Sequence, residues 1–266
     1  LSLGLTLVTI LFPFYIMVVT SLSPDGSLYT VPPTVIPTEL TLRHYEAVLG
    51  PETFPFVQQF QNSLIVAVTT ATLSVIVGSL GAYSFARLEY PGRTILNHGV
   101  LIVYMFSGIL LVVPLYQIIV WLDLIDNLGS LLITYLVQLL PLSLYMLRNY
   151  FRSIPPEIEE AALMEGYSRT EVIRKITLPL STPAIIAVFT YAFIIAWNEY
   201  LFASIFLRSE DKFTLPIGIE FLTVSFNQSW GQIMAASVLV SIPVFVLFLY
   251  LEQYMIEGLT AGSVQG

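Results

Sequence analysis

The chain has 266 residues, of which 56% are apolar and only 11% charged, and its formal net charge is −8. A soluble domain usually carries about 25% charged residues, so this chain cannot coat a water-facing surface and its solvent is lipid. The acidic balance speaks against nucleic acid, whose phosphates demand clustered Lys and Arg, and the lack of cysteine excludes disulfides, thiolate metal sites and thiol nucleophiles.

A helix crosses the hydrocarbon core in about 20 apolar residues. Six such segments are predicted, at residues 1–22, 62–87, 95–122, 129–150, 182–207 and 231–254. The first reads as a retained span, not a signal-peptide core, because no small-x-small cleavage site follows it and five more spans do. In the second, Ala67, Ala71, Gly78 and Ala82 recur near whole helical turns, which lets helix backbones approach closely in lipid. Pro114, Pro141 and Pro243 fall within spans and predict kinks, either ordinary or gating.

Basic residues set the orientation. Arg87, Arg93, Arg148, Arg152, Arg169, Arg174 and Lys175 fall in one set of connections, and Arg43, Arg208 and Lys212 in the other. The richer side is cytoplasmic, which places the connection 151–181 and both termini inside. Outside lie His44, for which surface placement is expected, the turn bearing Asp123 and Asp126, and the connection 208–230. His98 starts the third span, and two lone histidines predict no metal or catalytic site.

The connection 151–181 is a polar stretch inside an otherwise apolar chain. Pro155-Pro156 predicts a helix start, with Glu157, Glu159 and Glu160 in the first turns where negative charge suits the dipole. Ile158, Ala161, Ala162 and Glu165 share one face, and the alanines leave room for a partner. Gly166 suits the left-handed residue that ends a helix. Ser168 through Glu171 reads as a capping box opening a second helix, closed by Arg174 and Lys175. By composition alone, a docking element and an amphipathic connector on the membrane surface are equally served.

The spacing decides between them. Glu160-Ala161-Ala162, three residues, Gly166, nine residues, Ile176, one residue, Leu178-Pro179 resembles the signature loop of ABC importer permeases. Ala196 through Leu201 resemble the fifth span of carbohydrate permeases, Tyr83 through Arg87 with Pro91-Gly92 their second cytoplasmic turn, and the ending Gly258 through Gly266 the tail of the maltose-type, MalG-like branch. The resemblance implies an all-α membrane protein with six transmembrane helices of the type I ABC importer permease fold, forming one domain over residues 1–266. It implies a coupling helix, with Glu160, Ala161, Ala162, Gly166, Ile176, Leu178 and Pro179 at the ATPase dock. The tail 255–266 is implied to reach between the ATPases through Ala261, Gly262, Ser263 and Gln265. Family tails commonly end Lys-Gly, whereas this one ends Gln265-Gly266, so a charge contact there is in question.

Further implied are a second, MalF-like permease, two ATP-binding subunits that hold ATP and Mg, and an extracytoplasmic sugar-binding protein, assembled in a prokaryotic inner membrane. No cofactor is expected on this chain, which has no Gly-x-x-x-x-Gly-Lys-Ser/Thr loop and so should not bind ATP; a transport subunit without its own ATP site, not an enzyme, is expected. Its function would be to form half of a sugar pathway by alternating access. By analogy the connection 208–230, with Pro216, Gly218, Phe221, Phe226 and Trp230, meets the binding protein; a solvated re-entry turn is the alternative.

Tyr135, Gln138, Asn198, Glu199 and Tyr200 are the candidates for the sugar path, because sugars need hydrogen-bond partners and flat apolar faces. Glu199 is an ionisable group inside a span, and such groups usually face protein or a water-filled path. A structural bond to a neighbouring helix serves it equally. A permease for glycerol phosphate is one alternative function, though no Lys or Arg lies deep in a span. A polytopic enzyme would need clustered His, Asp or Glu, and an ion-coupled carrier several intramembrane carboxylates.

Overall fold

The computed structural model describes residues 2–25, 39–50, 55–224 and 230–261, and the side chains of all of these except 2, 3, 224 and 252–261. The described residues are helical, with no strand among them. In chain order the helices are α1 (Ser2–Leu22), α2 (Arg43–Leu49), α3 (Phe56–Arg87), α4 (Arg93–Tyr104), α5 (Gly108–Trp121), α6 (Leu128–Ser153) and α7 (Pro156–Met164). There follow α8 (Arg169–Leu180, with a π turn at Ile173–Thr177), α9 (Thr182–Asn198), α10 (Leu201–Phe206), α11 (Leu215–Val224) and α12 (Trp230–Ala261). Helices α1, α3, α6 and α12 are each long and apolar enough to span a bilayer; if each of the bent pairs α4–α5 and α8–α9 is counted as one span, the number is six.

Two predicted spans are interrupted. The third bends by 104° between α4 and α5, not at Pro114, which sits inside α5. The break falls at Ser107, whose backbone is extended before Gly108 starts α5. A Cβ on Gly108 would crowd Gln138, at 3.3 Å from its Oε1. The fifth is interrupted at Glu199, which is extended between α9 and α10. Pro141 and Pro243 also lie inside their helices, as does Pro13 in α1.

The chain forms two compact units. In residues 1–63 with 208–246, polar side chains close the turns: Asn62 Nδ2 donates to the carbonyls of Asp211 (2.8 Å) and Phe213 (2.9 Å), and Ser63 Oγ accepts from the Leu215 N–H at 2.8 Å. His44 is buried at 2% exposure, not on the surface. Its Nε2 is 2.9 Å from the Ser23 carbonyl, and its ring occupies the space a side chain at Gly231 would need.

In residues 64–207 with 247–266, the core is Ala82, Tyr83, Leu147, Phe151 and Val188. Ala67, Ala71, Gly78 and Ala82 are all buried along α3. A Cβ on Gly78 would stand 3.3 Å from Ser143 Cβ and Leu147 Cδ1 of α6, and one on Gly81 would strike Leu144. The small residues therefore set the α3–α6 spacing. Asp123 and Asp126 both take positive φ in the α5–α6 turn, a conformation Asp tolerates better than most residues.

Candidate functional site

The loop between α6 and α9 is built by local rules. Pro156 occupies the first turn of α7, where no backbone donor is lost. At the other end the Tyr167 N–H donates to Ala162 O and the Gly166 N–H to Leu163 O, both at 3.1 Å. That pair is a Schellman motif, and it requires the left-handed backbone Gly166 adopts at φ +94°. Ser168 then caps α8 in a full capping box with Glu171. The Glu171 carboxylate accepts from the Ser168 N–H (3.0 Å), from Ser168 Oγ (2.9 Å) and from Lys175 Nζ (3.0 Å). These donors, the Ser168 backbone foremost, hold its pKa down to about 2. Lys175 also lies 4.9 Å over the Tyr167 ring. The second helix does not close at Arg174 and Lys175, as expected; it runs through the π turn to Leu180 and then bends 79° into α9.

The buried edge of α7 is Glu159 and Ala162, one turn apart. Ala162, expected to face a partner, is 6% exposed and covered by its own chain. Glu160, Ala161, Glu165 and Gly166 are exposed, with Ile158 and, at 88%, Met164. Of the remaining dock candidates, Pro179 is exposed, whereas Ile176 is half-buried and Leu178 packs against the core.

In the sequence Glu159 is only a first-turn acid that suits the helix dipole. Its carboxylate accepts from Arg87 Nε (3.1 Å) at the end of α3, Tyr83 OH (3.2 Å) one turn earlier, and Thr177 Oγ1 (3.1 Å) in the π turn. Arg87 Nη2 also donates to the Ile154 carbonyl at 2.7 Å. A buried ion pair is tolerated when further hydrogen bonds satisfy the remaining lone pairs, and here they do. One carboxylate thus ties α7 to α3, α8 and the α6–α7 link. An Arg at a span end and a Glu one turn before Ala162 were the only sequence signals for it.

The sugar-path candidates separate into three places. Tyr135, 2% exposed, donates its hydroxyl to Glu199 Oε2 at 2.6 Å. Glu199 also accepts from the backbone N–H groups of Phe202 (2.9 Å) and Ala203 (3.3 Å), so it caps α10. Asn198 donates to Ile194 O within its own helix, and Tyr200 is exposed. Gln138 stands elsewhere, in a cavity of about 120 Å³ that it shares with Tyr104 and Tyr191, neither foreseen. Among the described residues no group of His, Asp or Glu could hold a metal ion. Of the predicted tail contacts, Ala261 ends α12, and Gly262, Ser263 and Gln265 lie outside the described residues, as does Phe226.

Residues 74–258 match the family described as binding-protein-dependent transport system inner membrane component. The chain is 46% identical, over its whole length and 95% of the other protein, to the inner membrane ABC transporter permease protein YcjP of Escherichia coli strain K12. It is 37% identical to the trehalose/maltose transport system permease protein MalG of Thermococcus litoralis, across 96% of this chain and 92% of that one. A solved bacterial ABC transporter involved in the import of the acidic polysaccharide alginate shares the fold, with TM-score 0.84 at 23% identity over 95% of this chain and 93% of that chain.

Proposed function

Because the chain belongs to the family of binding-protein-dependent transport system inner membrane components, as a multi-pass permease and not an ATPase, we propose that it forms half of a sugar-import pathway driven by two partner ATPases. The observation that carries this is the α7–α8 knuckle. It presents Ile158, Glu160, Ala161 and Met164 outward while Glu159 fastens it to the spans. A projecting helix held rigidly at its base can push the spans when a partner moves it. ATP and Mg belong to the partners, which the family resemblance supplies as a second permease, two ATP-binding subunits and an extracytoplasmic binding protein.

The distribution of Lys and Arg supports a cytoplasmic knuckle and cytoplasmic termini. The relative from Thermococcus litoralis, named for trehalose and maltose, supports a sugar cargo. The tail from Ala261 onward is assigned to the ATPase interface, and the whole chain to one permease domain. The alternating-access cycle follows: closing of the ATPases rocks the knuckle and the spans from inward-open to outward-open. The test is ATP hydrolysis by the reconstituted assembly against a panel of sugar-loaded binding proteins. Stimulation by one sugar identifies the cargo, and no stimulation by any sugar rejects the reading.

A further inference from the structure

We propose that the cavity at the break between α4 and α5 is a glycosyl-binding subsite carried by this subunit itself; this rests on the sugar-importer reading above. The cavity lies midway along the spans, where Gln138 of α6 and Tyr191 of α9 meet Tyr104 at the end of α4. A broken helix is tolerated at membrane depth where it is buried in protein or lines a cavity.

The chemistry suits a neutral polyol. Gln138 Nε2 is shut off from water and has no hydrogen-bond partner among the described residues, leaving two donors unsatisfied. An unsatisfied buried amide costs about 1–3 kcal/mol, and a ligand oxygen relieves it. The Tyr104 and Tyr191 hydroxyls bond to each other, and each retains capacity for another bond. Among the described residues no carboxylate, ammonium or guanidinium lines the cavity, so these offer nothing to neutralise an ion. At its mouth Tyr104 is 46% and Phe106 54% exposed, which presents flat apolar surface beside the polar groups, as a pyranose requires. The volume of about 120 Å³ equals roughly four liquid waters at about 30 Å³ each. That suffices for one edge of a sugar ring. By contrast Tyr135 and Glu199 already satisfy each other.

The test uses the complete importer in proteoliposomes, with radiolabelled trehalose and maltose as probes. Gln138→Leu and Tyr191→Phe are each expected to lower saturated import by about tenfold, the equivalent of one lost hydrogen bond. They should also shift the trehalose-to-maltose ratio, with ATP hydrolysis stimulated by the loaded binding protein falling less than import. A packing defect would lower hydrolysis and import together. The chain has no cysteine, so Gln138→Cys places a single thiol in this subunit. A small water-soluble thiosulfonate should label it, and sugar-loaded binding protein with a non-hydrolysable ATP analogue should slow the labelling more than the unloaded protein does. Unchanged import and ratio in both variants, beside a wild type that imports either sugar, overturns the subsite and leaves the sugar reading standing. Labelling only by a lipid-soluble maleimide places the cavity against lipid and also overturns it. A wild type that imports no neutral sugar from a panel of mono- to trisaccharides overturns both.

Discussion

Glu159 on α7 and Arg87 at the end of α3 are 72 residues apart in sequence and 3.1 Å apart in space, with side chains 5% and 12% exposed. The pair makes the loop helix an extension of a membrane-spanning rod. Removing one partner of a buried pair costs about 3–5 kcal/mol because it strands the other charge. Glu159→Gln should fall near 3 kcal/mol, since Arg87 keeps the Ile154 carbonyl. Trypsin cleavage at Arg169, Arg174 and Lys175 should accelerate, and thermal unfolding in detergent should shift down. Adding Arg87→Gln should restore part of the loss. Equal protease resistance in Glu159→Gln and wild type would refute the tie.

Gly166 has φ +94° and open space where a Cβ would go. Substitution there is opposed by the backbone alone, at about 1–3 kcal/mol for a residue held in the left-handed region. Coupled transport should therefore decline in the order Gly, Asn, Ala, Val, because Asn tolerates that region and β-branched residues do not. Transport rates across the four variants give the check; Val performing as well as Asn would contradict it.

Gly78 spaces α3 from α6 through Ser143 and Leu147. Gly78→Leu should force the helices apart and cost about 1–3 kcal/mol, the range for overpacking. The detergent unfolding temperature reads this. Gly99, whose Cβ would meet nothing, is the control and should accept Leu with little change.

The Glu171 carboxyl sits at about 2 in the folded chain against an ordinary value of 4.5. A depressed carboxyl stabilises the fold fully above its unfolded pKa and loses that contribution as pH falls. The capping corner should therefore weaken between about pH 4.5 and 2 and be indifferent to pH near neutrality. A carbon-13 titration of labelled glutamate in nanodiscs should show one midpoint near 2 that Glu171→Gln removes. A full set of midpoints at 4 or above would exclude the Ser168 and Lys175 bonds.

Tyr135→Phe removes one hydrogen bond to Glu199, worth about 0.5–1.5 kcal/mol, and leaves Glu199 with its backbone donors in α10. The outcome should be reduced stability with the ranking of transported sugars unchanged. A changed ranking would make Tyr135 a sugar contact.

Membrane residence, helical class and the loop's proline start, glycine corner and serine cap were legible in the residues alone. Hydropathy depends only on local composition, and Pro156, Gly166 and Ser168 act on their own backbone neighbours, so those rules needed no partner across the fold. The tertiary structure decided which side of each helix faces protein. Ala162 turned inward and Glu159 proved to be the anchor, because their surroundings are supplied by α3 and α8, far away in the chain. The same reason gave Glu199 its bonds to Tyr135 and to the start of α10 and brought Tyr104 and Tyr191 to Gln138. A buried polar group takes its role from whichever donors and acceptors packing delivers to it, and linear spacing carries no record of that delivery.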